Sequence, residues 1–277
     1  TDVAQVEAQL AGARAEALTA QSNLAASLAV YRQVVGTPPK NLAPGKPIEK
    51  ALPKSVAGAV GSSQSEHPLI QSAMHNVDAA ALNVKLVEGE LLPTLGLTGT
   101  LSKRWDPSGV SGASSLSAQA VATLTVPIYE GGETYARVRQ AKEQLAQARL
   151  QTDVVREQVR AQVVANWGLW ENSRGQLQAA QAQVPAAEIA LSGVREEAKV
   201  GQRTTLDVLV AQQTLVTARV ALVTAQRDRV VTSYAVMSAM GRLSAGKLGL
   251  AVAQYNPVVH FDQVKGKWFG LQTPDGR

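Results

Sequence analysis

Few residues in this chain have the types and spacing to do chemistry. The three histidines, His67, His75 and His260, have no ligand partners at metal-like spacing. Cysteine is absent, which excludes disulfides and thiolate metal sites and is neutral about compartment. No nucleophile–base constellation, phosphate loop or metal cluster occurs, so no enzyme, cofactor or metal site is expected. What remains is electrostatic. Arg203 closes the short segment Val200-Gly201-Gln202-Arg203, ahead of Thr204, Thr205 and Asp207. A guanidinium can hold a carboxylate and a neighbouring hydroxyl or carbonyl in one planar fork, or simply cap a helix turn in solvent. Asp207 falls in the first turn of a helix, where the macrodipole favours an acid. Trp105 and Tyr129 lie just beyond two alternating runs, where aromatics suit either a membrane interface or ordinary packing.

The elements that must position these groups are mostly helices. Val3, Val6, Leu10, Ala13, Ala17, Ala20, Leu24, Ser27, Tyr31 and Val34 advance by threes and fours, a heptad seam predicting one coiled-coil helix over 2–35. Gly36 and the Pro38-Pro39 pair stop it. A Gly-, Pro-, Ser- and Lys-rich surface connection, with room for a short helix, fills 37–66. Ile70, Met74, Val77, Ala81, Val84 and Leu91 predict a second helix over 67–92. From about 133 a helical period persists to Lys199. Those roughly 67 residues at 1.5 Å each would make a rod near 100 Å long, which Pro185 should kink or divide. The segment 200–205 turns the chain, and a returning helix ends near Gly241. The tail from 244, with Pro257, Pro274 and several glycines, should be partly disordered.

At Pro93 the period changes to two. Leu95, Leu97, Gly99 and Leu101 alternate with Thr94, Gly96, Thr98 and Thr100, and Ala118, Ala120, Ala122, Leu124 and Val126 alternate with polar neighbours. The stretch 93–127 is thus a β-hairpin with strands of about ten residues. At roughly 3.3 Å each and tilted by about 45°, such strands match the apolar band of an outer-membrane barrel. An ordinary hairpin lying on a helix layer fits the same pattern. If the hairpin does sit in lipid, its unpaired edges require further copies to close them.

One further copy is visible in the chain itself. Asp2-Val3, Leu10, Ala13-Arg14, Thr19-Ala20-Gln21 and Gly36 recur 205 positions later as Asp207-Val208, Leu215, Ala218-Arg219, Thr224-Ala225-Gln226 and Gly241. The first copy starts at Thr1, so the rest of that repeat, and any export signal, is expected upstream. Composition agrees with close helix contacts, with 45% hydrophobic but only 4% aromatic residues. No run of about 18 uncharged apolar residues argues for a transmembrane helix. The net charge of +5 is spread over mixed faces such as Glu143, Arg149, Asp153, Arg156, Glu157 and Arg160, so nucleic acid is not an expected partner.

Leu92-Pro93-Thr94-Leu95, then Val126-Pro127-Ile128-Tyr129-Glu130-Gly131-Gly132, then Val200-Gly201-Gln202-Arg203-Thr204 with Leu206-Asp207-Val208-Leu209 closely resemble the TolC family of outer-membrane efflux proteins. The resemblance covers Thr1 to about Leu250. It implies a mainly α fold in which long antiparallel coiled-coil helices form a trimeric periplasmic tunnel, with one β-hairpin per repeat given to a shared barrel in the outer membrane. The boundaries it suggests are 1–36, 37–66, 67–92, 93–127, 128–243 and 244–277. It further implies passive exit of substrates through a homotrimer in outer-membrane lipid, worked with a periplasmic adaptor and an inner-membrane ABC or RND-type pump. Residue by residue, Arg203 with Thr1 or Asp2 would lock the periplasmic tip, and Asp207 would form a carboxylate ring at the constriction. Val200, Gly201, Gln202, Thr204 and Thr205 would form the tip turn and adaptor-docking surface, and Trp105 and Tyr129 would mark the membrane interface. Val210 and Ala198 stand where relatives can carry a second ring carboxylate and a lock tyrosine. A periplasmic adaptor or coiled-coil scaffold is the alternative, although adaptors flank one hairpin with compact β domains.

Overall fold

A computed structural model describes residues 2–105, 109, 111–112, 114–271 and 273. The helices are α1 (Asp2–Val35), α2 (Val56–Glu66), α3 (Pro68–Gly89), α4 (Glu133–Lys199), α5 (Thr205–Ala239) and α6 (Pro257–Val264), with a short 3-10 helix at Glu49–Ala51. Strands β1 (Thr94–Trp105) and β2 (Ser114–Thr125) form one antiparallel pair. The chain falls into two compact units, Thr1–Gly61 with Gln162–Arg277, and Ser62–Ala161.

In the first unit α4 and α5 pack through small side chains. Leu177 and Ala180 meet Ala225, and Ala187 and Leu191 meet Leu215 and Ala218, which fixes the two helices as antiparallel. Alanine at these points lets the backbones approach, as the composition suggests. Ser173 and Thr232 join hydroxyls at 3.1 Å, and Arg219 Nη2 donates to Glu188 Oε1 at 2.8 Å. Toward the other end Val163, Trp167, Trp170, Val236, Met237 and Met240 are buried, with the two indoles edge-to-face at 5.0 Å. The connection after α1 is pinned to α5. Arg229 donates to both oxygens of Glu49, at 2.8 and 3.0 Å, and Ile48 N–H donates to the buried Ser233 hydroxyl at 3.2 Å.

The second unit contains α3, the hairpin and the first part of α4. Ile70 and Val84 of α3 and Val138, Ala141 and Val159 of α4 supply its buried apolar residues. Lys142 pairs with Glu88 at 3.0 Å and Arg137 with Glu90 at 2.7 Å, while Gln64 Nε2 donates to the Arg156 carbonyl at 3.0 Å. His67 is a structural residue. It caps α3, its Nδ1 accepting from Leu69 N–H at 3.2 Å, and burial holds its pKa below the usual histidine value.

Three features depart from the sequence reading, and one sharpens it. Pro185 lies inside the unbroken 67-residue α4 and does not divide it. The ring removes one donor, but the carbonyl it frees belongs to the exposed Gln181, and the contacts of Ala187 and Leu191 hold the helix to α5. The connection does contain the short helix for which the sequence left room, the 11-residue α2, whose Ala, Gly and Ser content gives it no steady period. The tail contains α6, started by Asn256, whose side chain accepts from Val258 N–H, with Pro257 in the first turn. The strands are twelve residues each, two longer than expected, because β1 includes Trp105, expected just beyond it, and β2 begins at Ser114. By length and composition α5 is also apolar enough to cross a membrane, yet it uses Leu215, Ala218 and Ala225 to pack on α4.

Candidate functional site

The tip turn is built by local chemistry. Helix α4 ends at Lys199, and Gly201 takes φ +78°, a left-handed conformation that a side chain would resist. Its N–H donates to Ala198 C=O at 3.1 Å, and Gln202 N–H reaches Glu197 C=O at 2.9 Å, which closes the helix end. Thr204 then opens α5 as its N-cap. The Thr204 N–H and hydroxyl both donate to Asp207 Oδ2 at 2.9 Å, and Asp207 N–H donates to Thr204 Oγ1 at 3.2 Å. These Thr204 donors, the N–H first and the hydroxyl second, hold the Asp207 carboxyl below the usual carboxylate range, with Arg203 adding to the effect. Asp207 is therefore anionic at neutral pH.

Arg203 is exposed and donates from Nε to Glu197 Oε2 at 2.8 Å, straddling the turn. That bond raises the arginine pKa further above its ordinary value. Glu197 is a partner the sequence reading missed. The signal was there, because a glycine turn after a helix folds residues six apart onto one another. Of the expected lock partners, Thr1 lies outside the described residues, and Asp2 belongs to α1 by backbone while its side chain lies outside the description. Thr205 starts α5, Val200 and Gln202 are exposed at the turn, Val210 is half exposed one turn into α5, and Ala198 is partly buried in the last turn of α4.

Beside the turn, α1 and α5 border an open groove of about 760 Å³ lined by Val6, Leu10 and Ala13 from one helix and Leu209, Val210 and Val216 from the other. The repeat thus has a structural counterpart. Both copies are helices, and both end at a glycine with positive φ, Gly36 at +84° and Gly241 at +71°.

The hairpin presents two unlike faces. Its register pairs Leu95 with Leu124, Leu97 with Ala122, Gly99 with Ala120 and Leu101 with Ala118, so these residues share one face. The other face carries Thr94 and Thr125, Gly96 and Thr123, Thr100 and Gln119, and Ser102 and Ser117, with Val121 as its apolar exception. Leu97 is 80% exposed and Leu95 74% exposed, so nothing among the described residues covers the leucine face. Trp105 ends β1 at the loop side, while Tyr129 follows β2 at the side where the helices attach, which puts the two aromatics at opposite ends of the ladder.

Residues 59–242 match the family model described as outer membrane efflux protein. The chain is 46% identical over 277 residues to the outer membrane efflux protein BepC of Brucella suis, covering all of this chain and 60% of that protein. It is 26% identical over 257 residues to the outer membrane protein TolC of Escherichia coli, covering 88% of this chain and 52% of that one. In three dimensions it is similar to the MtrE outer membrane channel of Neisseria gonorrhoeae in its open state, with TM-score 0.66, 22% identity, and coverage of 83% of this chain and 53% of that one. The chain spans between half and three fifths of the length of these curated relatives.

Proposed function

Because the chain belongs to the outer membrane efflux protein family, we propose that the protein is the passive exit duct of a tripartite efflux or type I secretion system. Three copies close a barrel from their hairpins, leucine face to lipid and threonine–serine face to the lumen, and the long helices continue the conduit into the periplasm. A periplasmic adaptor engages the tip around Val200 to Thr205, and an inner-membrane ABC or RND-type pump supplies the energy. Arg203 and Glu197 hold the tip turn, Thr1 and Asp2 complete the closing contact, and Asp207 from each copy rings the entrance. Trp105 and Tyr129 mark the two membrane interfaces.

One observation carries this reading. A two-stranded sheet of twelve residues per strand leaves a leucine face open along its length, which a water-soluble protein would cover. The test is extraction and conductance of the full-length protein. A heat-resistant trimer that requires detergent and forms ion-conducting pores in planar bilayers supports the duct. A monomer that stays in aqueous buffer and conducts nothing overturns it.

A further inference from the structure

The leucine face of the hairpin does not end in a leucine. Beyond Leu101 the same face continues with Lys103 and then Trp105, and across the ladder Lys103 pairs with the 69% exposed Leu116. The Lys103 ammonium sits 5.0 Å from the centroid of the Trp105 ring, a cation–π contact that holds the charge over the indole. Both residues are exposed, and among the described residues no carboxylate pairs with Lys103. A lone lysine on a lipid-facing stripe is costly at mid-membrane and almost free at the interface. The ten steps from Leu95 to Trp105, at about 3.3 Å each and tilted by about 45°, span roughly 23 Å, which carries Trp105 to the far edge of the apolar band and Lys103 to within about 5 Å of it.

We propose that Lys103 and Trp105 form a docking point for the phosphate of a membrane lipid headgroup, in the leaflet on the loop side of the hairpin. This rests on the outer-membrane duct reading above. The charge complements a phosphate, the indole lies at headgroup depth, and the neighbouring Leu101 and Leu116 receive the acyl chains. Both flanking helices join the hairpin at its Thr94–Thr125 end, so the lipid belongs to the leaflet facing away from the periplasm. Arg104 points to the opposite, polar face and takes no part.

The experiment uses the full-length protein purified in detergent, incubated with phosphatidylglycerol or with diacylglycerol of the same chains, bound lipid being counted by native mass spectrometry. Lys103→Gln should retain about fivefold less phosphatidylglycerol than the parent, with diacylglycerol unchanged and Lys103→Arg restoring most of the loss. Equal retention of phosphatidylglycerol by Lys103→Gln in a trimer that still conducts would overturn this inference alone. So would equal loss of both lipids, or displacement of the bound lipid by free inorganic phosphate. A protein that fails to form a detergent-dependent trimer would overturn the duct reading with it.

Discussion

The charged residues at the tip turn are partnered within the chain, and this sets what each substitution should do. Arg203→Ala removes the Arg203–Glu197 bond across Gly201 and should raise single-channel conductance of the full-length trimer. Glu197→Gln should raise it comparably, and the double variant should add little, because both changes break one contact. Additive effects would mean that Arg203 acts through another partner. In the connection after α1, Glu49 is held below the ordinary carboxylate value near 4.5, chiefly by its hydrogen bonds from Arg229. A group whose pKa is depressed on folding stabilises above its unfolded value and loses that contribution as pH falls through the folded one. Glu49→Gln should therefore lower thermal stability at pH 7, by on the order of 1 kcal/mol for a partly exposed pair, and the difference from the parent should shrink below about pH 4. A gap that persists in acid would assign the effect to packing.

At the scale of elements, the hairpin and the long helix each make a prediction. Leu97 lies near mid-strand on the face proposed for lipid, and Thr100 lies on the face proposed for the lumen. Leu97→Lys should cost about 2–4 kcal/mol of insertion stability while Thr100→Lys costs little, measured by folding into lipid vesicles. A larger penalty at Thr100 would reverse the assignment of the faces. Pro185 lies on an exposed stretch of a continuous helix, so Pro185→Ala restores a donor and should raise stability by roughly 1–3 kcal/mol with unchanged helix content. Much of this level was legible in the sequence. Threes and fours gave the long helices, alternation gave the strands, and the glycine-containing segment 200–205 gave the turn, while the Thr204–Asp207 cap emerged only in the structure. The bounds of α2 were not legible, because its Ala-, Gly- and Ser-rich stretch has no contrasting faces, and α6 was missed because Pro257 and the glycines around it were read as a partly disordered tail.

At the scale of the whole molecule, three copies of Asp207 brought together at the entrance would act on one another. Within one chain the Thr204 donors and Arg203 favour the anion, whereas three carboxylates around an axis repel and favour protonation. Divalent cation block of the full-length channel should be present at pH 7, fall as pH drops, and be lost in Asp207→Asn. Block that survives that substitution would refute the ring. Sequence alone determined the repeat, from matching residues at one fixed offset, and the order of the long helices, the two strands and the tip turn, because each of those elements rests on residues within a few positions of one another. Only the tertiary structure decided which helix faces meet at Ala218 and Ala225, that Glu49 is clamped by Arg229 some 180 residues away, and that Leu116 stands across from Lys103. Those choices depend on packing and strand register between distant segments, which local periodicity does not encode.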